Sequence, residues 1–358
     1  MEIYRSYKYL LKPTEIQKEK IFGILKNVTY VHNRFVQDYM DGKNINVKAK
    51  ELLKIYREEN HELINTDGSA LMNEIFRLQD GRVLKRKRER CNSYTTSNLY
   101  KQAVEILSST SIYIPKVGAV MFSYYRPIPE GGEIVNSTIK IDNLKNYYIC
   151  LNVKFNKERK EINLDISKCI GLDYSSPHFC IDDQGRKINM PHFNAREEER
   201  IAKINKKLAK CQKGSENYRK IKNKVLKLYK KSSNQRYDFL HKLSTKYADE
   251  YDYVFIEDLN IQGIANSKYH LQKQTYDNAY ALFVTFLNYK MNDRGKRLVK
   301  VNRYYPSSKT CHVCGYINNS LKLSDRQWIC PDCKTLLDRD VNSAINIKNE
   351  GLRIVQLP

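Results

Sequence analysis

Four cysteines stand in two pairs, Cys311-His312-Val313-Cys314 and, after a spacer of fifteen residues, Cys330-Pro331-Asp332-Cys333. Each Cys-x-x-Cys turn presents two thiolates to one side, and two such turns complete the four ligands of a tetrahedral ion, so a closed structural Zn2+ site is predicted. Gly315 follows the first turn, as a tight reversal requires, whereas Lys334 occupies the corresponding place after the second. His312 is a spare ligand that four thiolates leave unused. Disulfide pairing competes poorly in so long and basic a chain. The other five cysteines (Cys91, Cys150, Cys169, Cys180, Cys211) are scattered and read as small buried hydrophobes.

Carboxylates offer a second chemistry. Cys169-Ile170-Gly171-Leu172-Asp173 and Tyr253-Val254-Phe255-Ile256-Glu257 each read as a buried strand that ends on an acid. Leu337-Asp338-Arg339-Asp340-Val341-Asn342-Ser343-Ala344 follows the second cysteine pair and opens a helix that continues through Ile345 and Ile347. Singly, a strand-end acid is ordinary turn chemistry, and Asp338 or Asp340 serves equally as a helix N-cap. In conjunction, two strand-end acids and one helix-start acid are how a ribonuclease H-like sheet gathers carboxylates around a pair of hard cations. Such ions, about 3.5–4 Å apart, activate water and stabilise the leaving oxygen of a phosphodiester.

The elements that must position these groups fall into four stretches. A short strand at the start leads through Lys12-Pro13-Thr14 into a helix with a capping box from Thr14 to Gln17 and a core stripe of Ile21, Leu25, Val28, Phe35 and Tyr39. More helical text around 47–59, 71–90 and 97–108 predicts a helical bundle over 13–108. Strand-like alternation (Ile149, Leu151, Val153, Phe155) fills the region that follows, so 1–12 and 109–165 are expected to close a small β-barrel with the bundle inserted into it. Residues 166–305 and 335–358 make the carboxylate-bearing α/β core, with a polar helical hairpin over 196–247 broken at Lys213-Gly214-Ser215, and 306–334 form the zinc ribbon. The fold class is therefore α+β and multidomain.

The chain of 358 residues carries 63 Lys and Arg against 40 Asp and Glu, a formal net charge of +23. That surplus points to a polyanionic partner. The densest run, Lys85-Arg86-Lys87-Arg88 with Arg90, is a candidate phosphate contact, as is the lysine-dense face of the hairpin. The opening MEIYRSYKYL has neither a lipid anchor nor a signal peptide, and no apolar run approaches the roughly 20 residues that span a bilayer, so no membrane partner and a cytoplasmic location are expected.

The sequence resembles the TnpB proteins, transposon-encoded relatives of the type V CRISPR effector nucleases, along nearly its whole length. The likeness is carried by Pro13, Gln17 and Asn33-Arg34, by Gly171-Leu172-Asp173 and Glu257-Asp258-Leu259-Asn260, and most specifically by the tandem Pro306-Ser307-Ser308-Lys309-Thr310-Cys311, Arg326-Gln327-Trp328-Ile329-Cys330 and Asp338-Arg339-Asp340-Val341-Asn342. The resemblance implies a RuvC-type nuclease with Asp173, Glu257 and Asp340 as catalytic acids holding two Mg2+ ions, and the zinc ribbon inserted before the last of them. It implies a wedge role for the barrel and a recognition role for the bundle. The partners it implies are a guide RNA from the transposon end and double-stranded target DNA with a short flanking motif, bound by a monomer associated with the nucleoid of a prokaryotic cell. Ser307, Ser308, Lys309, Arg326 and Asn342 are expected to touch nucleic acid; Asn33, Arg34, Tyr56 and Arg77 are further candidates for reading bases. Tyr174-Ser175-Ser176 and Leu337 depart from the common pattern without removing a carboxylate. A strand-joining transposase, an RNA-guided regulator that does not cut, and a compact CRISPR effector are the alternatives; a basic zinc-ribbon protein with incidental acids leaves Asp338 to Asn342 unexplained.

Overall fold

The computed structural model describes residues 2–43, 45, 47–81, 91–98, 103–157, 163–175, 178–191, 193–260, 279–322 and 324–356. They form two compact units, 1–158 and 159–358.

In the first unit, strand β1 (Glu2–Lys12) is followed by helices α1 (Glu15–Met40), α2 (Ala49–Glu59) and α3 (Gly68–Gln79), then by strands β2 (Ser93–Ser97), β3 (Glu105–Ile106), β4 (Ser111–Ile114), β5 (Gly118–Phe122), β6 (Glu133–Ile141) and β7 (Tyr147–Asn156). The strands make one antiparallel sheet in the order β2-β6-β7-β1-β5-β4-β3, with no ladder joining β2 to β3 among the described residues. Helix α1 starts at the expected capping box, in which Gln17 N donates to Thr14 Oγ1 and Thr14 N to Gln17 Oε1. Its stripe of Ile21, Leu25, Val28 and Phe35 is fully buried, but Tyr39 is half exposed, because the helix runs past the end of the core.

Two expectations are corrected here. Within the stretch 97–108, predicted helical, the described residues hold the last residue of β2 and the whole of β3, where Glu105 pairs with Tyr113 and Ile106 with Ile112; 99–102 lie outside the described residues. Bundle and sheet are also not separate cores, since Leu25, Phe35, Leu71 and Ile75 pack in the same cluster as Tyr94, Ile139 and Leu151. The basic run from Lys85 to Arg90 lies outside the described residues. Of the candidate base readers, Tyr56 is fully buried with its hydroxyl on Asp38 Oδ2 (3.0 Å), Arg34 holds Glu59 through two 2.6 Å hydrogen bonds, and Arg77 holds Glu74. Tyr56 is held in the interior, whereas Arg77 remains exposed while pairing with Glu74 and Arg34 is partly exposed beside Glu59.

The second unit is built on strands β8 (Cys169–Tyr174), β9 (Cys180–Asp182), β10 (Lys187–Ile188), β11 (Tyr253–Glu257) and β12 (Arg297–Val301), in the order β10-β9-β8-β11-β12. β8, β11 and β12 are parallel; β9 and β10 return antiparallel. Between β10 and β11 come helices α4 (Phe193–Ala209) and α5 (Glu216–Glu250), separated at Gly214, whose φ of +89° suits glycine. The two share a small apolar seam of Ile201, Val225 and Leu228, while Lys203, Lys206, Lys207, Lys222, Lys224 and Lys227 are exposed. Helix α6 (Tyr280–Asp293) precedes β12, and α7 (Arg339–Gln356) closes the chain.

Alternation along β8 and β11 decides what faces what. Ile170, Leu172, Val254 and Ile256 pack with Tyr247 of α5 and Phe283 and Leu287 of α6, whereas Cys169, Tyr253 and Phe255 pack with Ile347 of α7. By the same period of two, Asp173 and Glu257 belong to the α7 face. Two glycines allow α7 to lie so close. A Cβ on Gly171 of β8 would stand 2.2 Å from the Ala344 carbonyl oxygen and 2.9 Å from the Lys348 backbone nitrogen, and one on Gly351 of α7 would stand 2.1 Å from the Phe255 ring. Backbone atoms cannot step aside, so Gly171→Ala must lift the helix. Overpacking of this kind costs about 1–3 kcal/mol, and at about 2–4 °C per kcal/mol for a unit of this size the melting temperature of Gly171→Ala should fall by about 2–12 °C. A variant melting with the parent in a calorimetric scan would show that the approach is looser than described.

Candidate active site and zinc ribbon

The two strand-end acids are neighbours because the register makes them so. Leu172 pairs with Ile256 across the parallel β8–β11 ladder, so the next residues, Asp173 and Glu257, lie in the same row at the carboxyl ends of adjacent strands. In parallel sheets that end is where ligand-binding crevices form. Asp340 reaches the same place from the first turn of α7. Asp338, not Asp340, caps that helix: its Oδ1 accepts from Asp340 N (3.0 Å) and Val341 N (3.1 Å). Asp340 is thereby released from capping.

Asp173 is 9% exposed, and its acid is held well above the ordinary carboxylate range, first by burial, then by the charges of Glu257 and Asp340, with the Ser343 hydroxyl and Arg339 opposing. Burial also raises Glu257, against a hydrogen bond donated by Ser307. Among the described residues neither acid has an ion-pair partner. Asp340 Oδ2 has one, Arg326 Nη1 at 3.5 Å, but that arginine is largely exposed and such a pair contributes about 0–1 kcal/mol. The three carboxylates are spread more widely than the sulfurs described below: among the described residues the cysteine quartet alone gathers His, Cys, Asp or Glu ligand atoms all within 4.8 Å. The acids are near enough for the charges of Glu257 and Asp340 to raise Asp173, with Arg339 opposing, and carboxylate oxygens are the ligand type that hard divalent ions take.

The four expected sulfurs come together. Cys311 Sγ is 3.6 Å from Cys333 Sγ, and Cys314 Sγ is 3.5 Å from Cys330 Sγ. A disulfide needs about 2.05 Å, whereas the edge of a tetrahedron with 2.3 Å Zn–S bonds is about 3.8 Å; the quartet has the spacing of ligands to one tetrahedral ion such as Zn2+. Strands β13 (Gln327–Ile329) and β14 (Leu336–Asp338) pair antiparallel beside it. The departure at Leu337 is explained by packing: it is buried opposite Trp328, in a cluster with Cys311 and Cys330. Lys334 does carry the left-handed turn, with φ +62° matching the +80° of Gly315.

Several expected nucleic-acid contacts are corrected by burial. Ser307 is 4% exposed and Asn342 1%. Asn342 Nδ2 donates to the Thr310 carbonyl (2.7 Å) while its Oδ1 accepts from His312 N (3.0 Å), and Ser307 Oγ donates to Glu257 Oε1. Both bind protein. Ser308 and Lys309 are half-buried and Arg326 is exposed. Missed by sequence reasoning were Ser343, whose hydroxyl meets Asp173 Oδ1 at 3.1 Å, and Asn346, which donates to the carbonyls of Ser307 (2.8 Å) and Thr310 (2.6 Å). The available signal was a polar stripe, Asn342, Ser343 and Asn346, at helical spacing inside an otherwise amphipathic helix.

Comparison with known proteins agrees with this architecture. Residues 280–347 match the family described as Cas12f1-like, TNB domain, and residues 152–268 match OrfB_IS605, described as "Probable transposase". A relative from Streptomyces pristinaespiralis, named "Putative RNA-guided DNA endonuclease", is 27% identical over 98% of this chain and 90% of its own. The Escherichia coli protein named "Putative RNA-guided DNA endonuclease InsQ" is 24% identical over 70% of this chain and 65% of its own. A TnpB-like protein of Acanthamoeba polyphaga mimivirus is 28% identical over 44% of this chain and 31% of its own. Among solved structures, the protein of a Cas12f1-sgRNA-target DNA complex superposes with a TM-score of 0.62 at 14% identity, over 97% of this chain and 99% of that one. The fold is thus the mixed α/β fold of Cas12f1. Within that class, the chain is similar to proteins named as putative RNA-guided DNA endonucleases and as TnpB-like.

Proposed function

We propose that this chain is an RNA-guided DNA endonuclease of a transposon, hydrolysing phosphodiesters with Asp173, Glu257 and Asp340 around two Mg2+ ions. The observation that carries the reading is the convergence of two acids, in one row of adjacent parallel strands, with a third on the helix covering that face. The second unit is then a RuvC-like, ribonuclease H-like nuclease domain, and the sheet and helices of the first unit are wedge and recognition parts. Bound ions would supply water activation and leaving-oxygen stabilisation; the protein holds the carboxylates, excludes competing cations from Asp173 and Glu257, and keeps Asp340 uncapped. Base pairing between guide and target strand would select the site, while the protein reads a flanking motif and duplex shape. The lysines along α4 and α5 fit the backbone of such a complex, and an intracellular, nucleic-acid-bound location follows.

The test is to sequence the RNA that co-purifies with the protein, then offer the complex a plasmid library randomised beside a matching target. Cutting should require the match, a defined flanking motif and Mg2+, and stop in EDTA. Target affinity should fall steeply with salt, each phosphate contact adding about 0.9 to the logarithmic slope on duplex DNA. Guided binding with no cut under any guide would replace the nuclease by a regulator, and joined strands would indicate a transposase.

A further inference from the structure

Two hydroxyls span the gap between the strand-end acids. Ser307 Oγ donates to Glu257 Oε1; Ser343 Oγ lies 3.0 Å from Ser307 Oγ and 3.1 Å from Asp173 Oδ1. Both serines are buried, at 4% and 2% exposure, so water does not substitute for either. Ser307 donates its proton to Glu257 and is an acceptor toward Ser343, whose single proton is shared between Ser307 Oγ and Asp173 Oδ1. The bridge is anchored at one end by α7, which carries Ser343. At the other end, Asn346 holds the Ser307 and Thr310 carbonyls, and Asn342 holds the Thr310 carbonyl and the His312 amide, one residue past the first zinc cysteine.

We propose that Ser307 and Ser343 are positioning residues that set the orientations of Glu257 and Asp173 for divalent ions, with Asn342 and Asn346 tying that bridge to the zinc ribbon. This rests on the nuclease reading above. A carboxylate that can rotate costs orientation each time it binds an ion, and a hydrogen-bonding partner behind it removes that cost; loss of such partners typically lowers metal affinity about 10–100-fold.

The experiment uses the full chain with its co-purified RNA and compares parent, Ser307→Ala, Ser343→Ala, Ser307→Thr and Asp173→Asn. Mn2+ affinity is measured by titration calorimetry, the Mg2+ dependence of guided cleavage by half-saturation, and zinc content and melting temperature in EDTA-treated buffer report folding. Each alanine variant should weaken Mn2+ binding and raise the Mg2+ half-saturation by about tenfold, approach the parent rate at saturating Mg2+, and keep parent zinc content. Ser307→Thr, which retains a hydroxyl, should recover most of the affinity. If both alanine variants bind Mn2+ as tightly as the parent, the bridge has no positioning role and the inference falls. If Asp173→Asn keeps parent Mn2+ binding and cleavage, it is the nuclease assignment that falls.

Discussion

Asp173→Asn should abolish guided cleavage, by about a thousandfold or more, and at the same time make the protein harder to melt. The rate loss follows because metal assistance is worth several kcal/mol of transition-state stabilisation, at 1.36 kcal/mol per factor of ten. The gain in stability follows from the site's own electrostatics. Asp173 is buried beside two other acids, so its acid in the folded chain lies above its ordinary value. Between that ordinary value and the raised one, the native state holds more protons than the unfolded chain, and stability falls as pH rises through the window. Above it the full penalty is present. Asparagine removes the charge, so in EDTA at pH 7–8 the variant should melt about 2–4 °C higher, the equivalent of about 1 kcal/mol for a unit of this size. The advantage should fade on acidification, and Mg2+ should raise the melting temperature of the parent only. Guided DNA binding, which depends on backbone contacts elsewhere, should survive. A parallel gel-shift, cleavage and melting series checks all of these, and a variant that cuts at the parent rate would remove Asp173 from the catalytic site.

Cys330→Ser should lose zinc and, with it, cleavage. Apart from the cysteines, the ribbon's core among the described residues has only Trp328, Leu337 and the partly buried Leu321, and its strands are three residues each. So small a core does not hold itself without metal. Its collapse would reach the carboxylates by two routes: the chain from Ser307 to His312 is held by Asn342 and Asn346, and β14 runs directly into Asp338, which caps the helix bearing Asp340. Zinc content should drop below one per chain, the ribbon should become protease-sensitive, and the cleavage rate should fall by about a hundredfold or more, as when ligand-orienting partners are lost. A variant with parental cleavage would show the ribbon to be energetically separate from the site.

The local signals were legible where chemistry requires fixed spacing. The paired cysteines, the capping box at Thr14 and the glycine in the turn at Gly214 were found because each acts through its immediate neighbours in the chain. The misreadings at Ser307 and Asn342 have the opposite cause. Whether Asn342 faces solvent depends on which distant segment covers it, and the 307–310 segment lies 32 residues or more away along the chain.

What the sequence determined by itself is therefore the inventory: a zinc quartet, three candidate acids, the strands and helix that carry them, and a charge that calls for a polyanion. Only the tertiary structure decided that Leu172 pairs with Ile256, which sets Asp173 and Glu257 side by side, and that Gly171 and Gly351 let α7 approach closely enough to add Asp340 and to bring Ser343 against Asp173 and Ser307. Register and close approach are properties of pairs of segments, fixed by packing between residues far apart in the chain, and no single stretch of text contains them.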